Sequence, residues 1–399
     1  MTTPADNKNK RHRLMSTTTS FCLMMMMMMI LISSSNGFSL INNPHLHQSR
    51  PMVSLSATAK KKKKGGTASG GGFGAKPASS SQKKKPPSAK QLSKKLIQSY
   101  GGVTQEEIAR GTQQRIDRVM QSLPPYMQMA TQLYRQLQIW DAKLATMSVL
   151  DQTKLPPSDM DGARRAKEEL EKICQEHDLT SQDLHNLFQQ VTWDASADAK
   201  AVMSQTGKMP KEVKDRVNKA CTIIAEAVGS DGACLDAGCG YGVLHPSLQA
   251  AGLQSSQIYG VDLSPEMIRN AQEMYPDSSF EAADFFKYNP PEDVEGGLFE
   301  GIIFCASLHD MPDPVGALTK AASMLRSNGG TLVIVHPQGA SHVKKQASAN
   351  PVLVKRGLPT AGELTTLGAD LGLKLVTEPV DANSREEAFQ GYLAVLKKE

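Results

Sequence analysis

The chain has 399 residues, 40% of them hydrophobic and 21% charged, enough for two domains plus tails. Its formal charge of +5 hides an asymmetry: 17 of the 45 Lys and Arg precede position 105, but only Asp6 of the 40 Asp and Glu does. The remaining 28 basic and 39 acidic side chains give the rest of the chain a net charge of −11, which argues against duplex DNA or bulk RNA as a partner.

The first hundred residues read as addresses. Arg11, His12 and Arg13 precede twelve apolar residues, Phe21 to Ile32, and the small residues Ser33 to Gly37 follow. That order makes residues 1–37 a signal peptide, whose apolar run is too short to span a bilayer. From Phe38 to about residue 100 the chain is acid-free and rich in Ser, Lys and Gly, the composition of a transit peptide. Such a segment cannot bury enough apolar surface to offset its ordering entropy, so disorder is expected before about Lys95. Signal peptide, phenylalanine and transit peptide in this order resemble the bipartite presequences of plastid proteins in algae with secondary plastids. The resemblance implies a plastid address, with mitochondrial or nuclear import as alternatives. Two other readings stay open: a disordered low-complexity tail, or Lys60 to Lys64 as a nuclear signal or nucleic-acid arm.

A helical region follows over residues 103–209. Leu133, Leu137, Trp140, Leu144 and Met147 recur at helical spacing, and Pro124-Pro125 and Pro156-Pro157 divide the region into about four helices. The stripe reads as a core face.

From residue 211 to 399 the pattern alternates strands and helices. Val213, Val217, Cys221, Ile224 and Val228 mark an opening helix. Ala233 to Leu235 then form a short apolar strand, within the run Cys234 to Gly242, CLDAGCGYG. Gly238, Gly240 and Gly242 let the backbone turn sharply and approach a ligand. Asp262 ends the second strand, where a carboxylate can accept both hydroxyls of a ribose. The unit reads as a nucleoside site. A dinucleotide fingerprint would keep Val243 small, and Asp236 ahead of the glycines would repel a pyrophosphate but welcome a cationic amino group.

The later elements keep the same order. Ser264-Pro265-Glu266 begins a helix, and Phe280 to Ala283 form a third strand ending at Asp284-Phe285. Phe299 to Ser307 make a near-continuous apolar run suited to a buried parallel strand, followed by Leu308-His309-Asp310. Asp313-Pro314 opens a helix with Leu318, Ala321 and Leu325 on one face, and Asn328-Gly329-Gly330 stops it. Thr331 to Val335, Leu373 to Val376 and Tyr392 to Leu396 complete the strands.

The DxGxGxG run and the acid ending the second strand resemble class I S-adenosylmethionine-dependent methyltransferases of the small-molecule-type branch. The resemblance covers about residues 211–399. It implies an α/β Rossmann-like sheet of seven strands, mostly parallel, whose last two strands form a hairpin with the last strand antiparallel. It implies S-adenosylmethionine as cofactor, with Asp236, Gly238, Gly240, Gly242 and Ala306 among its binding residues. Asp262 would clamp the ribose, Leu263 and Met267 pack on the adenine, Asp284 accept its exocyclic amine and Phe285 cover the ring. Met267 reads equally as a buried core residue, and Asp284 as a solvated loop acid. The resemblance further implies that part of the helical region lids the cleft. Asn289-Pro290-Pro291-Glu292 looks like an amino-methyltransferase motif, but it precedes the fourth strand and lacks the stacking aromatic, so it reads as a loop.

In such enzymes a base is needed only if the acceptor must lose a proton. His309 stands at the end of the fourth strand, where an imidazole can either take that proton or merely line the pocket. His336 is a weaker second candidate. Five cysteines after Cys22 are scattered without a CxxC pair, which fits a reducing compartment, and no metal site is visible; the pair His45 and His47 has no partners nearby. The chain thus reads as a methyltransferase for a small, partly apolar acceptor. A catalytically silent assembly protein and an RNA or protein methyltransferase are the alternatives.

Overall fold

A computed structural model describes residues 105–206 and 210–399; the signal and transit segments expected over 1–100 lie outside the described residues. The helical region comprises α1 (Gln105–Ser122), α2 (Pro125–Thr146), a single turn α3 (Val149–Gln152), α4 (Pro157–His177) and α5 (Ser181–Thr206). Pro125 and Pro157 each stand at a helix start, where their missing N–H costs nothing. The expected stripe on α2 is shifted. Its buried face carries Ala130, Thr131, Tyr134 and Trp140, Leu133 and Leu137 pack at the rim, and Met147 lies beyond the helix end.

The second part runs α6 (Lys211–Val228), β1 (Cys234–Ala237), α7 (His245–Ala250), β2 (Ile258–Asp262), α8 (Pro265–Met274), β3 (Ser279–Ala282), β4 (Gly301–Cys305), α9 (Pro314–Met324), β5 (Thr331–His336), α10 (Ala340–Ala349), α11 (Ala361–Leu371), β6 (Leu373–Thr377), α12 (Arg385–Gln390) and β7 (Tyr392–Lys398). The seven strands lie in the order β3-β2-β1-β4-β5-β7-β6, parallel except for β7, which is antiparallel to both neighbours. This is the Rossmann-like sheet expected. One detail differs: β6 and β7 are joined not by a tight turn but through α12.

Alternating residues feed two cores, because successive strand side chains face opposite ways. Leu235, Ile302, Phe304, Leu332 and Ile334 face the side covered by α9 and α11. Cys234, Ile258, Ile303, Val333 and Val335 face α6 and α7. Burying both faces explains why the strands read as continuous apolar runs. The order reverses between β1 and β4, which opens a crevice at the carboxyl ends of those strands, the usual ligand position in such sheets. The segment Asn289 to Pro291 lies outside helix and strand, as expected of a loop. Cys221, Cys234 and Cys239 are buried, Cys174 and Cys305 half-buried, and all are free thiols.

Candidate active site

The glycine turn leaves β1 and is tied to β2: the Gly238 and Cys239 N–H groups both donate to Val261 O, at 2.8 and 3.1 Å. Gly238, Gly240 and Gly242 all have positive φ, at 78°, 55° and 80°, which only glycine adopts cheaply. Each also has a different neighbourhood. A Cβ at Gly238 would collide with Ser307, and one at Gly242 would come within 2.9 Å of the Tyr275 ring. At Gly240 the same Cβ would meet no heavy atom within 4 Å, so this glycine faces open space beside the two acids.

Those acids are arranged differently. Asp262 accepts the Gly240 N–H at Oδ2 and the Ser264 N–H at Oδ1, both at 2.9 Å, so each oxygen retains a lone pair. Burial raises its pKa, those two N–H groups oppose the rise, and Lys200 opposes it further. Asp236 is 3% exposed, and its Oδ1 has no hydrogen-bond partner. Burial, with the Asp262 charge added, pushes its pKa up to about 8. A buried carboxylate without a partner is costly unless a cation joins it. The cationic amino group of S-adenosylmethionine fits that position, its ribose hydroxyls fit Asp262, and the open face at Gly240 leaves room for both.

The remaining sequence candidates are placed as follows. Leu263 is half-buried, and Met267 is buried with its N–H on Ser264 Oγ at 3.1 Å. Asp284 is engaged at both oxygens, by the Phe286 N–H at 3.0 Å and by Asn186 Nδ2 at 3.0 Å. The Phe285 ring, expected over the adenine, packs edge-on against Phe304 with centroids 5.4 Å apart, as part of the sheet core. Ala306 is exposed just beyond β4 with φ 53°, and its N–H donates to Val335 O at 2.9 Å. A non-glycine residue held in that conformation is strained, and such strain collects at functional sites. The strained turn carries the chain into Leu308–Asp310, where His309 is 4% exposed. His309 Nε2 lies 3.5 Å from Asp310 Oδ1, and its Nδ1 has no partner. The ring also stands edge-on to His336, with centroids 5.1 Å apart.

Part of the helical region was expected to lid the cleft, but sequence reasoning named none of the residues by which α5 reaches it. Asn186 holds Asp284, and Asp194 Oδ1 accepts from the Ser264 hydroxyl at 2.5 Å and the Glu266 N–H at 3.2 Å. Gln189 Nε2 donates to Asp310 O at 3.0 Å, and His185 Nε2 lies 3.1 Å from the same carbonyl. That bond makes Nε2 the protonated nitrogen, so His185 Nδ1 accepts from Tyr134 Oη at 3.4 Å. Burial lowers the His185 pKa to about 4. Lys200 Nζ lies over the Trp193 ring, 3.6 Å from its centroid, and acts electrostatically on Asp310 and Asp262. Burial lowers its pKa to about 8 against the pull of those two acids. One signal was available in the sequence: His185, Gln189, Thr192 and Ser196 recur at helical spacing, and all are buried polar residues.

Comparison with known proteins bears on the domain that carries these residues. Residues 207–378 match the family model described as a methyltransferase domain. Over 115 residues the chain is 30% identical to the ubiquinone biosynthesis O-methyltransferase of Xanthomonas campestris pv. campestris, a match covering 28% of this chain and 46% of that protein. The corresponding protein of Xanthomonas axonopodis pv. citri is 29% identical over 98 residues, covering 24% of this chain and 39% of that one. The chain thus spans about half the length of the curated relatives it matches, or less. Among solved structures, magnesium protoporphyrin IX methyltransferase from Synechocystis PCC 6803 with bound SAH aligns at a TM-score of 0.39 and 15% identity, covering 54% of this chain and all of that one. A TehB-like SAM-dependent methyltransferase from Corynebacterium glutamicum aligns at 0.36 and 19% identity, covering 52% and 97%. Residues 207–378 therefore match a methyltransferase domain, and the strands described within them belong to a Rossmann-like sheet.

Proposed function

We propose that this chain transfers a methyl group from S-adenosylmethionine to a small-molecule acceptor in a plastid. The observation that carries the reading is Asp236, a buried carboxylate with an unpartnered oxygen, set beside an open glycine turn and the Asp262 carboxylate. When bound, the cofactor supplies an electrophilic methyl on a sulfonium, already activated for in-line displacement. The chain's part is alignment, which in oriented reactions is worth roughly 7–11 kcal/mol of barrier. Asp236 would hold the cofactor's amino group and Asp262 its ribose, while α5 packs on this end of the sheet through Asp284, Ser264 and the Asp310 carbonyl. If the acceptor is a hydroxyl, His309 Nδ1 would take its proton, while the methyl would leave the sulfonium sulfur, which keeps the bonding pair, for the acceptor oxygen. The Asp310 carboxylate, 3.5 Å from His309 Nε2, stabilises the imidazolium that results.

The plastid address rests on the order of the leader: an apolar run, then Phe38, then an acid-free Ser-, Lys- and Gly-rich stretch. Among the described residues no helix is long and apolar enough to cross a membrane, and no group of His, Cys, Asp and Glu could hold a metal ion. Titration calorimetry with the full chain tests the cofactor assignment. S-adenosylmethionine should bind far more tightly than NAD, and the reverse order would end the reading.

A further inference from the structure

A cation already stands at the end of the sheet to which the proposed cofactor would bring another. Lys200 Nζ lies 3.6 Å from the centroid of the Trp193 ring, within the range at which an indole face attracts an ammonium. The two residues are seven positions apart on α5, so two helical turns bring them to one face. Both side chains are half-buried.

Other side chains of α5 fix this stretch against the end of β2. Asp194 Oδ1 accepts from the Ser264 hydroxyl at 2.5 Å, and the Ser264 N–H donates to Asp262 Oδ1 at 2.9 Å. One turn further on, Asp198 Oδ1 accepts from Arg269 Nη2 at 3.2 Å and from Asn270 Nδ2 at 3.3 Å. Lys200 follows two positions later and acts electrostatically on both Asp262 and Asp310. Asp262 ends β2, Asp310 follows β4, and those strands are the two neighbours of β1. A charge felt by both acids therefore stands near the carboxyl end of β1, where Asp236 and the glycine turn lie. The proposed cofactor spans the same place, with its ribose at Asp262 and its amino group at Asp236. In S-adenosylmethionine the sulfonium is the covalent link between those two parts.

From this juxtaposition we infer that Lys200 reads the charge on the cofactor's sulfur: its ammonium disfavours the sulfonium of S-adenosylmethionine relative to the neutral thioether of S-adenosylhomocysteine. The inference rests on the methyltransferase reading above and adds to it a residue that tells the two cofactor forms apart. Burial lowers the Lys200 pKa to about 8, which still leaves it mostly protonated at pH 7. When the methyl leaves for the acceptor, the sulfur keeps the bonding pair and loses its charge. The repulsion is therefore strongest before transfer and fades along it, the direction in which a fixed charge assists a reaction.

The two cofactor forms make a clean comparison. They share ribose, adenine, amino and carboxyl groups, so Asp236 and the hydroxyl contacts of Asp262 serve both alike. Asp262 and Asp310 also attract a sulfonium, so the quantity that isolates Lys200 is the change in preference between parent and variant.

Titration calorimetry at pH 7 measures both affinities on the full chain, as parent, Lys200→Met and Lys200→Arg. One charge within about 10 Å, at an effective dielectric of about 20, changes an affinity by about tenfold or more. In Lys200→Met the ratio of S-adenosylmethionine to S-adenosylhomocysteine affinity should therefore rise by about tenfold, through tighter binding of S-adenosylmethionine. Damage to the site would weaken both ligands instead. Lys200→Arg keeps the charge and should keep the parental ratio. Sinefungin, which carries an amine where the methylated sulfur stands, should follow S-adenosylmethionine. An unchanged ratio in Lys200→Met, or the same rise in Lys200→Arg, overturns the inference. Lys200→Gln gives the same reading should the methionine variant fail to fold. Failure of the parent to bind either form overturns the methyltransferase reading, whereas binding of both at a ratio that Lys200 does not move overturns this inference alone.

Discussion

Ser264 joins two distant parts of the chain through one hydroxyl: its proton goes to Asp194 Oδ1 at 2.5 Å, and its oxygen accepts the Met267 N–H at 3.1 Å. The cap of α8 and the closure of α5 over the crevice are thus one interaction. Ser264→Ala should cost about 1–2 kcal/mol as a lost cap. Because the two partners share that bond, the loss should be non-additive with Asp194→Asn, with a coupling of about 0.5–3 kcal/mol. A double-mutant cycle by urea unfolding measures it, and simple additivity would separate the lid from the cap.

Asp262→Ala removes the acceptor of two backbone N–H groups as well as the ribose clamp. Affinity for S-adenosylmethionine should fall by about 1–3 kcal/mol in titration calorimetry. Undiminished affinity would reassign this carboxylate to holding the turn alone.

Asp236 should make both stability and binding depend on pH. Folded, its pKa is raised to about 8, whereas an unfolded aspartate sits near 3.9. The folded state therefore takes up a proton between about pH 4 and 8, and the stability this group contributes is lost as pH rises through that window. His185, His245, His336 and His342, whose pKa values burial lowers, act in the opposite sense, so the diagnostic is the difference between parent and Asp236→Asn across the range. A cation bound beside Asp236 favours its ionised form, so cofactor binding at pH 7 should release a proton. Calorimetry in buffers of different ionisation enthalpy reads that release, and the Asn variant should lose it.

His309→Gln should lower turnover by roughly 10²–10⁴-fold with cofactor affinity little changed. Asp310→Asn should give a smaller loss, because it supports the imidazole without touching the acceptor. Parental turnover in His309→Gln would return this residue to a pocket-lining role.

If the leader is only an address, the mature protein begins between Phe38 and about Gly101 and carries the acidic balance of the remainder. N-terminal sequencing of the native protein decides this. Retention of Lys60 to Lys64 would favour the nucleic-acid arm, and import unaffected by replacing Phe38 would remove the secondary-plastid argument.

The sheet was legible because parallel strands buried on both faces leave continuous apolar runs, as Gly301–Cys305 and Thr331–His336 do. The grouping of Asp236, the glycines and Asp262 was legible for a different reason: they lie within 27 residues on consecutive elements. The contact residues of α5 escaped because apolar periodicity passes over the buried polar row of His185, Gln189, Thr192 and Ser196. Nothing local to Asn186 or Asp194 tells of partners 98 and 70 positions away. Phe285 shows the converse limit, since a motif position says where a residue falls but not which neighbour takes its ring.

The insertion of β7 between β5 and β6 sets an order of events during synthesis. Thr331–His336 and Leu373–Thr377 both need Tyr392–Lys398 as the strand between them. Until translation has passed Lys398, one half of the sheet shows an open edge at β5, and β6 has no partner at all. Open edges invite pairing with other chains, so a stall or truncation within these last few residues should aggregate the protein rather than merely weaken it.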